Sequence, residues 1–339
     1  MRARGYGVLF TLALIWGASF LFIKIGVKEM SPPTLVALRL AFSVATLGAI
    51  IAVRPELAAG WRRYWRLGVV VGLINIFVPY LLITWGETSI ATGVTAILNA
   101  TTPLFTVLLA NWWPDSAHET LTWRRGTGVV VGFVGVGVLV GPTALSFAGV
   151  GVDRVAGMLA VLIAAAAYGV GALLSRRFAG SAQLVGPITM QVSALVFMVP
   201  VAVLTGLPTR VPSPRALGAV AALGIAGTAL AYLLYFWLIH HVGATRTALV
   251  TYLLPCTALI WGALFLHESV SWNAVAGLAL VLLGAMVTNG TLDGLAVRLS
   301  GRGNKSTVER GVRVEATMEA SAETTVEATV EAASPRGAR

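Results

Sequence analysis

Six polar side chains follow one another through an apolar stretch at steps of 4, 3, 4, 3 and 4: Thr88, Thr92, Thr95, Asn99, Thr102 and Thr106. That spacing stacks them on one face of a helix. Hydroxyls and an amide bind and orient a solute; they do not break bonds. A threonine stripe either packs against a neighbouring helix or lines a cavity, because each hydroxyl can bond back to its own helix. Asn99 favours lining, since no back-bond satisfies its donors and its acceptor together. Pro103 lacks an N–H, so it predicts a freed carbonyl on Asn99 beside that amide. Farther along, Thr247, Thr251, Tyr252 and Pro255 repeat the pattern in outline.

Aromatic and charged residues extend the candidate set. Trp16, Tyr80, Trp85, Tyr168, Tyr232 and Tyr252 fall inside apolar runs, where an N–H or O–H needs a partner and interior faces are favoured. Packing filler is the competing reading for each. Lys24 and Arg39 are the cations inside such runs, and Glu87 ends one. Lys24 can snorkel to the interface, whereas Arg39 lies deep enough for an interior role. These three are coupling or gating candidates. The middle of each run is free of Asp and Glu, which argues against a midplane carboxylate relay. Glu119 and Glu268 stand in matching His-Glu segments, next to Thr122 and Ser271, and read as caps of the helices that follow.

Reactive constellations are missing. His118, His240, His241 and His267 are scattered over loops, so neither a metal site nor a catalytic set is expected. The sequence shows no nucleophile elbow and no phosphate loop, and no cofactor is implied. Cys256 is the single cysteine, so no intrachain disulfide can form.

The elements that must hold these residues are membrane helices. The chain of 339 residues is 57% hydrophobic and 11% charged, with a mean hydropathy of +0.84. Continuous apolar runs near 7–27, 33–53, 67–86, 91–112, 126–141, 155–175, 184–205, 216–238, 244–266 and 273–290 predict ten spans. Shifted by 152 residues, the chain aligns on itself: Trp16-Gly17 with Tyr168-Gly169, Tyr80 with Tyr232, Trp85 with Trp237, Pro103 with Pro255. The domains expected are therefore five-helix repeats over 7–141 and 155–290, followed by a disordered cytoplasmic tail over 291–339. An odd helix number inverts the second repeat relative to the first. The fold class is thus all-α integral membrane.

With the N-terminus inside, eleven basic residues lie on the inner side and five (Lys24, Lys28, Arg154, Arg210, Arg215) on the outer. That bias predicts both termini in the cytoplasm and a multi-pass protein of the cell membrane. The net charge of +10 is spread over loops, so nucleic acid is not an expected partner. The lipid bilayer and a small-molecule substrate are. Glycines 128, 132, 135, 137 and 141 form a ridge in the fifth span, suited to scaffold packing or to a homodimer face.

Trp16-Gly17 with Ser19 and Phe20, Arg39 in the second span, the Pro103 and Pro255 spans, and the paired segments Glu119…Trp123 and Glu268…Trp272 together resemble the EamA-type carriers of the drug/metabolite transporter superfamily. The resemblance covers about 8–290. It implies a ten-helix secondary transporter with a central cavity between two repeats, lined by helices 1, 3, 4, 6, 8 and 9, and commonly an exporter of amino acids or other small metabolites. In that frame Trp16, Ser19, Asn99, Thr102, Tyr168, Thr251 and Tyr252 line the cavity. Two departures, Tyr168-Gly169-Val170-Gly171 for the early motif and Gln191 at the Arg39 position, imply unequal use of the halves. Few charges in the cavity suit a neutral or zwitterionic solute moved by alternating access. A receptor or scaffold that binds without transporting is the alternative.

Overall fold

Ten helical segments succeed one another in the computed structural model, which describes residues 3–110, 122–140, 151–178, 180–208, 210–242, 247 and 249–288. They are α1 (Ala3–Gly26), α2 (Pro32–Val53), α3 (Trp61–Gly86), α4 (Thr92–Ala110), α5 (Trp123–Val140), α6 (Val152–Ser175), α7 (Val185–Leu204), α8 (Pro214–Gly224, continuing through Ile225–Leu230 and Ala231–Val242), α9 (Val250–Leu266) and α10 (Trp272–Thr288). His118, Glu119 and the tail over 291–339 lie outside the described residues. Eight of the helices are long and apolar enough to cross a membrane; α9 and α10 are shorter, at 17 described residues each. Seventeen residues rise about 25 Å, at the short edge of a hydrocarbon core of about 30 Å. Apolar side chains such as Val130, Val134, Ile163, Val196, Phe197, Ile260 and Leu264 stand exposed along these helices, as lipid rather than water requires.

The two halves lean on each other. The α1 helix packs on α8 and α9, and its counterpart α6 packs on α3 and α4. The α2 helix packs on α7 and α8, and its counterpart α7 on α2 and α3, while α5 packs on α10. Exchanging the repeats maps this pattern onto itself. Glycines set the closest crossings at matching registers. A Cβ on Gly17 of α1 would stand 2.1 Å from Thr257 Oγ1 of α9, and one on Gly169 of α6 would stand 3.0 Å from the backbone N of Thr106 in α4. Three glycines of the fifth-span ridge are used in the same way, while Gly137 meets nothing within 4 Å and Gly141 lies outside the described residues. Gly128, Gly132 and Gly135 face Thr288, Leu104 and Val281, and Gly284 returns the contact onto Gly128, so the ridge knits α5 to α10 and to α4.

Helices α3 and α8 each contain a wider π turn, at Leu73–Phe77 and Ile225–Leu230. A shift of 152 superimposes the starts of both. A glycine precedes each, Gly72 against the carbonyl of Met190 and Gly224 against the carbonyl of Arg39, both 2.5 Å from where a Cβ would stand. Such turns widen a helix locally and are frequent at functional sites.

The fourth span departs from the predicted continuous helix. It breaks at Ala100–Thr101 into Thr92–Asn99 and Thr102–Ala110, and Thr88 precedes it, exposed and bonded to Trp85 O at 2.7 Å. The six-residue stripe is therefore not one face of one helix. By contrast α9 runs through Pro255 without a break, correcting the expectation of two proline-broken helices. Pro103 ends two turns of α4 in the membrane interior, whereas Pro255 lies in the second described turn of α9, where one carbonyl loses its donor and the later turns hold.

Candidate functional site: a buried cation between the repeats

The guanidinium of Arg39 on α2 is the centre of the polar interior. Arg39 is 7% exposed. Its Nε donates to Thr228 Oγ1 in the π turn of α8 at 2.9 Å, and its Cζ lies 3.6 Å from the centroid of the Tyr80 ring on α3. Thr228 is oriented to accept this bond, because its own hydroxyl donates to Leu223 O, five residues back, at 2.9 Å. A buried cation costs several kcal/mol unless it is paired. Among the described residues no carboxylate pairs with Arg39, and no acceptor reaches its two terminal nitrogens. Cation–π contact with Tyr80 offsets part of that cost, about 2 kcal/mol for a desolvated pair. Tyr168 on α6 and Tyr232 on α8 lie within electrostatic reach of Arg39 and of Tyr80. Four helices from both repeats thus converge on one cation.

Two further polar groups stand inside the spans: Asn75, which the sequence did not single out, and Gln191, read there only as a departure at the Arg39 position. Asn75 sits in the π turn of α3 and fills the space left by Gly171 on α6. Gln191 of α7, at the register of Arg39, is fully buried. Its carbonyl accepts from the Ser43 hydroxyl, and its amide nitrogen has no partner among the described residues. A single Asn or Gln inside an apolar run carries no periodic signal. The fact that each stands in a span is the signal that could have found them.

The break in α4 follows directly on Asn99, and one expectation there is corrected. Its backbone carbonyl is not left free: Thr102 Oγ1 donates to it at 2.7 Å. Its side-chain Oδ1 is buried and unpartnered. Thr95 and Thr106 bond back to Ala91 and Thr102, which leaves them packing roles.

The other predicted residues divide. Ser19 is buried against Gly227 and donates to Ile15 O at 3.2 Å. Trp16 tilts on Tyr235 at 5.5 Å within the apolar cluster of Leu9, Leu12 and Leu238, so α1 uses it to bind α8. Tyr252 points away from the centre, its hydroxyl donating to Ala285 O of α10 at 3.3 Å. Thr251 is half-buried beside it, and Pro255 is buried within α9. Trp85 stands apart at 45% exposure.

A second polar group gathers where α3 ends. Lys24 does not snorkel outward. Its ammonium turns in and donates to the carbonyls of Glu87 and Ile90 at 2.5 and 2.8 Å. Glu268, expected to cap α10, instead accepts from the backbone N–H groups of Thr92 at 3.0 Å and Gly93 at 3.5 Å, capping α4 of the other repeat. The cap of α10 is Ser271, which accepts from Ala274 N–H at 3.2 Å. Among the described residues no group of three or more His, Cys, Asp or Glu could hold a metal ion.

The model of the EamA-like transporter family matches residues 3–141 and 155–290. An uncharacterized transporter of Archaeoglobus fulgidus is 26% identical over 285 residues, covering 83% of this chain and 96% of that protein. A protein of Streptantibioticus cattleyicolor named a probable terminal-alkyne amino-acid exporter is 25% identical, over 81% of this chain and 89% of its own. A crystal structure at 24% identity superposes with a TM-score of 0.61, covering 88% of this chain and 99% of its own, which shows a shared fold.

Proposed function

Because the chain belongs to the EamA-like transporter family over both of its halves, we propose that this multi-pass membrane transporter carries a zwitterionic small metabolite, of the amino-acid class, that is anchored by its carboxylate on Arg39. One observation carries this reading: a buried guanidinium lies between the repeats, and no acceptor among the described residues claims its terminal nitrogens. A planar fork of donors matches a carboxylate in bidentate fashion. A single guanidinium at this centre suits one anionic group and disfavours substrates with several. The unpartnered Oδ1 of Asn99 offers an acceptor for the ammonium, and the hydroxyls of Tyr168 and Tyr232 complete a polar lining. One relative bears the name of an amino-acid exporter, which agrees with this class.

The mechanism we propose is alternating access. Two inverted five-helix bundles rock about the broken α4 and the π turns of α3 and α8, exposing Arg39 to each side in turn. Both termini are cytoplasmic by the charge bias, and the direction is export.

The test is exchange in liposomes. Purified protein is reconstituted with unlabelled neutral amino acids inside, and radiolabelled ones are added outside. Saturable uptake stimulated by internal solute, lost in Arg39→Gln and weakened in Asn99→Ala, is the expected result. Flux that rises linearly with concentration would indicate a channel. Binding without flux would favour a receptor.

A further inference from the structure

Glu87 follows the last turn of α3 and is completely buried, yet neither carboxylate oxygen has a hydrogen-bond partner among the described residues. The hydroxyls of Thr84 and Thr92, on either side of it in the chain, are fully buried and unpartnered too. Three unpartnered polar side chains therefore fall between the last turn of α3 and the first residue of α4. The charged groups that bear on Glu87 are Lys24 of α1, Glu268 from the α9–α10 turn and Arg39 of α2. From α6, Asp153 meets this segment through its backbone, accepting from Ser89 Oγ at 2.9 Å. Lys24 is the nearest cation, but it bonds the main-chain carbonyls of Glu87 and Ile90 and leaves the carboxylate alone.

We propose that Glu87 is a proton-binding latch: protonated, it lets α1, α3 and α4 seal this end of the bundle, and ionised, it opens them. An ionised carboxylate cannot stay sealed away from any donor. Burial accordingly pushes its pKa well above the usual carboxylate range, opposed by Lys24. When the O–H bond breaks, the proton leaves to the solution on that side. The carboxylate left behind takes water or draws the Lys24 ammonium off Ile90. Either event loosens the tie between α1 and the α3–α4 turn. The sign is definite: the sealed state is favoured at low pH and loses ground as pH rises. Resting on the transport reading above, this names the proton as the coupling ion, and on the topology proposed there the latch faces outward.

The latch can be tested without a substrate. The single cysteine is removed by Cys256→Ser, and Thr84→Cys or Thr92→Cys is introduced as a reporter. Labelling by a membrane-impermeant maleimide is then compared with the same protein carrying Glu87→Gln, which shares the intrinsic pH dependence of the thiol. The ratio should climb several-fold from acid to alkaline pH, and infrared spectra should show a protonated carboxyl at neutral pH that Glu87→Gln removes. A ratio that stays flat for both reporters, or spectra with no such carboxyl, overturns the latch. In liposomes with a radiolabelled mixture of neutral amino acids, Glu87→Gln should exchange solute but lose accumulation driven by a pH gradient. Retained accumulation, or accumulation driven by sodium instead, overturns the coupling. A pH-dependent ratio with no flux from wild type would uphold the latch and reject the amino-acid reading.

Discussion

Asn75 of α3 fills the space in front of Gly171 of α6, where an added Cβ would come within 2.2 Å of its Oδ1. At the matching crossing the roles are reversed: Gly227 of α8 faces Ser19 of α1, with 2.8 Å from a Cβ to the hydroxyl. Each crossing admits one polar side chain and requires glycine opposite. Gly171→Ser alone should therefore lower thermal stability and impair transport. The double variant Asn75→Gly with Gly171→Ser reproduces the other crossing and should recover most of the stability. Unfolding midpoints of the four members of this cycle in detergent check it, and additive losses would refute it.

Arg39 is held at a cost to the fold, so its removal should separate stability from function. Arg39→Met is expected to unfold at the same temperature as wild type or higher, because an unpaired buried cation is replaced by an apolar chain of similar length. Its transport should be abolished. Arg39→Lys keeps the charge but loses the fork. Its half-saturation concentration should rise about ten- to hundredfold, the equivalent of a charged hydrogen bond. Wild-type kinetics in either variant would move the binding site elsewhere.

Glu268 ties the repeats through a cap. Glu268→Ala should remove the acceptor of the Thr92 and Gly93 N–H groups and cost about 1 kcal/mol. Hydrogen exchange should speed at the first turn of α4, 175 residues away in sequence, while α10 keeps its Ser271 cap. Faster exchange in α10 instead would contradict the arrangement.

Glu29 gives the opposite pH dependence to Glu87. Its carboxylate accepts from Ser213 N–H at 2.6 Å and from Ser213 Oγ at 2.7 Å, and these two bonds, backbone first, hold its pKa below 4.5. A depressed carboxylate contributes stability that is full above its unfolded value and is lost as pH falls through its folded one. Glu29→Gln should therefore unfold earlier than wild type near neutrality and equally in strong acid. Thermal scans between these limits check the sign, and a gap that widened in acid would refute it.

How far the sequence reached depends on how local each signal was. The duplication and apolar runs are continuous features, and the contacts of α1 with α9 and of α6 with α4 follow its register. The interior role open to Arg39 was legible because a cation deep in a span has few other fates. Asn75 escaped, and Gln191 entered only as a departure at the Arg39 position, since a single amide among Leu, Ile and Met leaves no period to read. The α4 stripe misled because periodicity presumes an unbroken helix, and the break at Ala100–Thr101 changes the phase after Asn99. Glu268 was read against its nearest helix. Its real partners are close only in space, where no local pattern reports them.

The twin π turns mark how closely the two halves keep one register. A π turn is how a helix stores one residue too many, and α3 and α8 store it from the same register, Leu73 and Ile225. The wider turn thus recurs at the equivalent point of each half. The crossings on which the present fold depends, α1 with α9, α2 with α8 and α5 with α10, all join one half to the other. A single half would hold only one set of these faces and, on its own, would leave them unburied. At the paired positions Arg39 and Gln191 the halves differ, one carrying a cation and the other a neutral amide.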